Sequence, residues 1–469
     1  MLIWLTICLF LLGAFIALSF RIGPQASLGT VVGVTWLFPS WLILPLAEGP
    51  SGSIVGTGPD IRMAVSAACL LAYCFMPGRT FPLRPVASDF ALLGLVITHL
   101  VSDLSNDGFS WKLLGSIYVE WYLPYACGRV AMSGRKEIDF VWKAMATSAI
   151  TLGVCSMIES LVDMHLLEIS FGARPFEGSN PNGARWGIQR AYGPALHPIY
   201  FGVAQLLALG WVSYGAIRAL KRKAAPLWVF APTISIAGMA CTASRGPILG
   251  IPVALAASLF YFFPKLRWPI GILFAVGAGA AIAFHEPIIL QLEKWSGEGR
   301  RDIEILGEER IQSSVRSRIN LIEVNKIALK RSGLLGFGSD AVAGFPINVP
   351  VGEMEAEALK RVWAIDNTYI LLTLRFGYLG VACFAIACVL TLAQFFFIAI
   401  RYPGQSPGTL SCCLGGVFFA ASLVQATVWL PPDIGFPLLF TMGVSSGLVV
   451  AHSDGQFSNS GRSRQSLEA

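Results

Sequence analysis

The chain has 469 residues, with 34 Lys and Arg against 28 Asp and Glu and a formal charge of +6. Charged residues make up 13%, roughly half the share in a globular domain, and 55% of residues are hydrophobic, which excludes an ordinary soluble fold. The basic residues are scattered over short loops, so the net charge is no argument for nucleic acid.

Apolar runs of roughly 20 residues recur along the length, each long enough to cross a bilayer. A transmembrane β-barrel would need alternating segments of about 10 residues instead. The chain therefore reads as an all-α polytopic membrane protein. Candidate spans cover residues 2–20, 28–47, 62–77, 87–101, 112–131, 138–164, 192–217, 227–243, 247–263, 267–284, 367–400, 408–428 and 434–451, twelve or thirteen helices in all. The first lacks a basic n-region and a small-x-small cleavage site and is expected to be retained. This divides the chain into a membrane domain (1–284), a long loop (285–365), C-terminal membrane helices (366–452) and a disordered tail (453–469). Within the loop, Glu309 to Arg331 reads as one amphipathic helix, with Ile311, Val315, Ile319 and Ile322 on one face.

Loop charges predict orientation. Arg21, Arg79/Arg84, Arg129/Arg135/Lys136, Arg218 to Lys223, Lys265/Arg267, Arg401 and the tail with Arg462 and Arg464 fall on one side. The positive-inside rule makes that side cytoplasmic. The loops at Glu48–Asp60, Asp103–Asp107 and Pro431–Gly435 fall on the other, together with the long segment. Ten cysteines form no CxxC pair and no Cys/His cluster, so neither a metal nor a disulfide is implied and no cofactor is expected.

Polar residues gather at the outward span ends. Arg190 precedes a span that opens AYGPALHPIYFG, where the prolines loosen the first turn around His197. Arg245 sits in a tight S-R-G turn, and Arg316 and Arg318 lie on the amphipathic stretch. Guanidinium groups fork onto phosphate oxygens, so a diphosphate would satisfy them; headgroup contacts or local ion pairs are the alternative. Asp366 and Asn367 open the span at 367–400, with Arg375 inside it and Gly377 and Gly380 interrupting it. An aspartate here serves equally as a helix N-cap or as a base accepting a proton from a hydroxyl. Intramembrane Glu120 and Glu159 read as partners for stray charges.

Taken in order, these pieces resemble the O-antigen ligase and polysaccharide polymerase superfamily. The order is Arg190 and Gly193-x-x-x-His197-Pro198, then Thr242-Ala-Ser-Arg-Gly246, then an external loop with Arg318 and Gly336-x-Gly338, then Asp366-Asn367. The ligase pattern His-[Asn/Ser/Gln]-x9-Gly-x2-[Gly/Thr/Tyr] is matched by Asn367, Gly377 and Gly380, with Asp366 in place of the histidine. The resemblance implies a GT-C-like, metal-independent glycosyltransferase of a bacterial inner membrane, with its site facing the periplasm. It implies an undecaprenyl-diphosphate-linked glycan as donor, a glycan or lipid-linked acceptor, and assembly or export proteins as possible partners. Arg190, Arg245, Arg318 and His197 would hold the donor diphosphate, and Asp366 with Asn367 would carry the catalysis. Aspartate in place of histidine leans toward a polymerase of O-antigen or exopolysaccharide repeats. Ligation to lipid A-core is the alternative, and a transporter or flippase is the rival class.

Overall fold

The computed structural model describes residues 2–43, 60–172, 184–222, 226–296, 301–305, 308–312, 316–342, 349 and 365–457. The loop from Glu48, Lys223, the seam residue Ala364 and the tail from residue 458 lie outside these. Among the described residues nine helices are long and apolar enough to cross a membrane. They are α1 (Leu2–Ile22), α4 (Ala87–Asn106), α7 (Arg135–Val162), α9 (Pro198–Arg222), α11 (Arg245–Phe262), α12 (Arg267–Ala283), α16 (Thr368–Arg401), α17 (Ser406–Val424) and α18 (Pro432–Ser453). Two shorter apolar helices, α3 (Ile61–Tyr73) and α10 (Pro226–Cys241), join them. The chain is an all-α polytopic membrane protein.

Several expectations are corrected. The span at 28–47 is not one helix among the described residues: α2 (Pro24–Thr35) is short and almost wholly buried, and the chain turns at Trp36. The span at 112–131 is broken into α5 (Trp111–Ile117), a π-helical turn (Tyr118–Tyr122) and α6 (Leu123–Ala131). Pro124 lacks an N–H, so it cannot support an unbroken ladder through that turn. The expected tail begins inside the fold: Phe457 has a buried ring, and its carbonyl accepts from Arg135 Nη2 (3.2 Å). The amphipathic helix starts late. Residues Arg301–Ile305 and Glu308–Gln312 pair as antiparallel strands β1 and β2, and helix resumes as α14 (Arg316–Val324) and α15 (Lys326–Arg331).

Lipid and protein divide the bundle. α18 and α17 lie at its centre, buried along nearly their whole length, whereas α1 and α12 expose apolar side chains such as Phe10, Phe20, Trp268 and Val276. α18 packs on α6, α17 on α11, α16 on α4, and α9 on α10. Close approach is built in: a Cβ at Gly443 would lie 2.0 Å from the Tyr125 carbonyl oxygen. Small residues let helices pack this tightly where lipid supplies no hydrophobic drive.

The segment after α12 caps one end of the bundle. Its buried side chains Leu321, Val324, Ala328 and Val342 form a cluster with Ile365, Ile370, Leu371 and Leu374 at the start of α16. A second attachment is made by backbone. Gly377 breaks α16 at φ 68, ψ −169, a region open essentially only to glycine. The break frees groups that the turn at Gly333–Gly338 takes up: Phe337 N donates to Leu374 O (2.8 Å), Gly338 N to Arg375 O (3.0 Å), Tyr378 N to Gly333 O (3.0 Å) and Leu379 N to Leu334 O (3.2 Å). The two glycine-rich motifs are thus the halves of one joint.

Candidate functional site

The site forms around the loop 425–431 between α17 and α18. This loop joins the ends of four other elements. Thr368 N donates to Val428 O (3.0 Å) and Thr368 Oγ1 to Gln425 Oε1 (2.6 Å). Asn367 Nδ2 donates to Ala426 O (2.8 Å). Arg318 Nε, on α14, donates to Thr427 O (3.1 Å). Trp429 Nε1 donates to the hydroxyl of Tyr200 on α9. On α11, a Cβ at Gly246 would stand 3.4 Å from Thr427 Oγ1, so Arg245 lies beside the same loop, partly exposed.

The seam resolves into two roles. Asn367 is the N-cap of α16: its Oδ1 accepts from Tyr369 N (3.0 Å) and Ile370 N (3.1 Å). With its Nδ2 on Ala426, both ends of the amide are committed, which makes Asn367 a positioning residue. Asp366 is left out of the cap. Burial raises its carboxyl above the ordinary carboxylate range, and the nearby Arg318 guanidinium opposes that rise. The Tyr200 hydroxyl is also close enough to feel the Asp366 charge.

His197 and its loop are held from below. Glu159 Oε2 accepts from Tyr192 N (3.0 Å) and Gly193 N (3.1 Å), and Asp433 Oδ2 accepts from Leu196 N (3.1 Å). Gly193 has φ +51, and a Cβ there would strike the Phe201 ring at 2.7 Å. Asp433 is in turn bound by Arg62 (3.2 Å), which also reaches Asp60 through Nε (2.9 Å); all three are buried. His197 Nδ1 accepts from Ile199 N (3.2 Å), so Nε2 carries the proton, and its ring lies 5.1 Å from that of Tyr200. Intramembrane Glu159 thus anchors the backbone of this loop.

The arginines separate. Arg318 borders the loop beside Asp366, and Arg245 lies next to Gly246 at the same loop. Arg190 does not: it is 2% exposed, with Nε on Thr242 O (3.0 Å) and Nη2 on Ser244 Oγ (3.2 Å). It holds the T-A-S-R-G turn from within, so its expected place on an open diphosphate surface is corrected to a buried clamp on that turn. Arg316 pairs with Glu286 and Glu293, both at 3.0 Å. Arg375 turns to the cap joint, meeting Ser339 Oγ (2.9 Å) and Glu120 (3.8 Å). Ser339 also touches His99 Nε2 (3.3 Å), but Trp121 Nε1 donates to His99 Nδ1 (2.9 Å). That places the proton of the neutral ring on Nε2, so His99 is no base for Ser339.

Tyr200 and the loop 425–431 were missed from sequence. Tyr200 stands three residues after His197, and Gln425, Thr427 and Trp429 are polar groups at a span end, the available signal for both. Among the described residues no group of three or more His, Cys, Asp or Glu is disposed to hold a metal ion. No family model matches the chain, and no curated protein matches it.

Proposed function

We propose that the chain is a glycosyltransferase that polymerises, or ligates, undecaprenyl-diphosphate-linked oligosaccharides at the periplasmic face of a bacterial inner membrane. The observation that carries this reading is that Asn367 does the capping, leaving the half-buried Asp366 uncommitted beside Arg318 and Tyr200, its carboxyl raised by burial. The motif order from Arg190 to Gly380 supplies the substrate class.

In this mechanism an acceptor hydroxyl attacks the donor's anomeric carbon, and its proton passes to Asp366. The bond from that carbon to the diphosphate oxygen breaks, and its electron pair leaves with undecaprenyl diphosphate. A carboxylate held above its ordinary pKa is a stronger base than one in water, which suits a hydroxyl proton. Arg245 and Arg318 offset the charge growing on the leaving diphosphate, an electrostatic contribution that is often the largest in such sites. Asn367 fixes the position of Asp366, and Arg190 holds the turn bearing Arg245.

The test is the purified protein in liposomes, supplied with lipid-linked oligosaccharide. The reading requires longer glycan and free undecaprenyl diphosphate. Movement of the unchanged substrate across the bilayer would identify a carrier instead.

A further inference from the structure

At the end of the bundle opposite the candidate site lies a cavity of about 390 Å³. α9 separates the two: its 25 residues span roughly 37 Å from His197 to Arg222. The cavity is lined by Arg135, Arg218, Lys221 and Arg222, with the turn Gly404–Gln405 and the start of α17. Among the described residues one carboxylate pairs with these four cations, Asp139, which takes a forked pair of bonds from Arg218. Two of the others rest on neutral acceptors: Arg135 Nη2 on Gln405 Oε1 (2.6 Å) and Lys221 Nζ on Gly404 O (3.1 Å). Arg135 Nε is buried with no acceptor among the described residues. The first turn of α17 adds to the field, because Gln405 precedes it without a side-chain cap, its amide oxygen being taken by Arg135. Uncapped N–H groups at a helix start carry partial positive charge.

We propose that this cavity binds a phosphate-bearing anion. The source is the headgroup of an anionic phospholipid in the adjoining leaflet or a soluble phosphate compound; the chemistry is the same. Guanidinium and ammonium groups converging with a helix N-terminus suit phosphate oxygens, and the volume exceeds that of about ten waters. Loop cations that only set membrane orientation have no need to converge on one cavity. The binding is independent of the glycan chemistry proposed above.

The test uses full-length protein in neutral detergent, titrated with dihexanoyl phosphatidylglycerol or with inorganic pyrophosphate while its thermal midpoint is followed. The expected result is a saturable rise with at least one probe. It should weaken roughly thirtyfold in the double variant K221Q/R222Q. Both of these side chains are exposed, so folding is spared. The double variant R84Q/K265Q removes the same charge at the same end of the bundle, outside the cavity, and should respond like the wild type. A response to phosphatidylglycerol alone assigns the lipid source, and one to pyrophosphate assigns a soluble source. The proposal is overturned if neither probe raises the midpoint, or if the two double variants respond alike.

Discussion

Replacing Gly377 by alanine should detach the cap from the bundle. The perturbation is twofold. Gly377 sits at φ 68, ψ −169, where an L-residue costs about 1–3 kcal/mol. The added Cβ would also lie 2.2 Å from Leu334 C and 2.3 Å from Leu334 O, which are backbone atoms without freedom to swing aside. The turn must withdraw, and the four backbone hydrogen bonds between it and α16 are lost, two donated by Phe337 and Gly338 of the turn and two by Tyr378 and Leu379 of the helix. At about 1 kcal/mol each, the total reaches roughly 5–7 kcal/mol. That is comparable with the whole stability of many domains, about 5–15 kcal/mol. The assay is hydrogen exchange in detergent, with a thermal melt alongside. Amides of the 333–338 turn should lose protection and the midpoint should fall. Gly271→Ala is the control: it lies within α12, where a Cβ meets nothing within 4 Å. Wild-type protection of the turn in Gly377→Ala would refute the joint.

Three further outcomes follow from the site. Arg318→Gln removes the charge that opposes the burial of Asp366, so the carboxyl rises further. Because the base works deprotonated, the acid limb of the pH–rate profile should move to higher pH; an unmoved limb would separate Arg318 from Asp366. Asn367→Ala should cost about 1 kcal/mol of thermal stability through the lost cap and lower the transfer rate, with the inserted protein otherwise intact. A rate equal to wild type would remove its positioning role. Arg62→Met leaves Asp60 and Asp433 buried together and should cost roughly 3–5 kcal/mol, read as a lower melting midpoint in detergent. A midpoint within error of wild type would show the triad to be dispensable.

The long apolar helices were legible because hydrophobic length is a direct physical requirement of the bilayer. α9, α16, α17 and α18 lie close to where the runs place them. The failures have local causes. The stretch from Glu308 to Gln312 has a composition that suits a helix, and only pairing with β1 makes it a strand. The span at 28–47 carries Pro39 and Pro45 and its helix ends at Thr35, where a buried turn against Pro194 takes over. At the seam, Asp366 and Asn367 are equally good capping types. Which one caps is set by Ala426, 59 residues away, whose carbonyl holds the Asn367 amide. Arg190 looked outward-facing because its buried partners, Thr242 O and Ser244, are more than 50 positions downstream. Gly377 and Gly380 read from sequence only as interruptions of the span; the docking of Gly377 on the Gly336 turn depends on backbone groups that no residue type announces.

The central claim is that Asp366 removes a proton during glycan transfer. Its most direct test is Asp366→Asn, reconstituted in liposomes with lipid-linked oligosaccharide and compared with wild type at equal protein. The substitution keeps size and hydrogen-bonding shape and removes only the base. The account predicts that longer glycan and free undecaprenyl diphosphate appear with wild type and fall by at least about a hundredfold with the variant, while the melting midpoint is kept. Undiminished product from Asp366→Asn would contradict it.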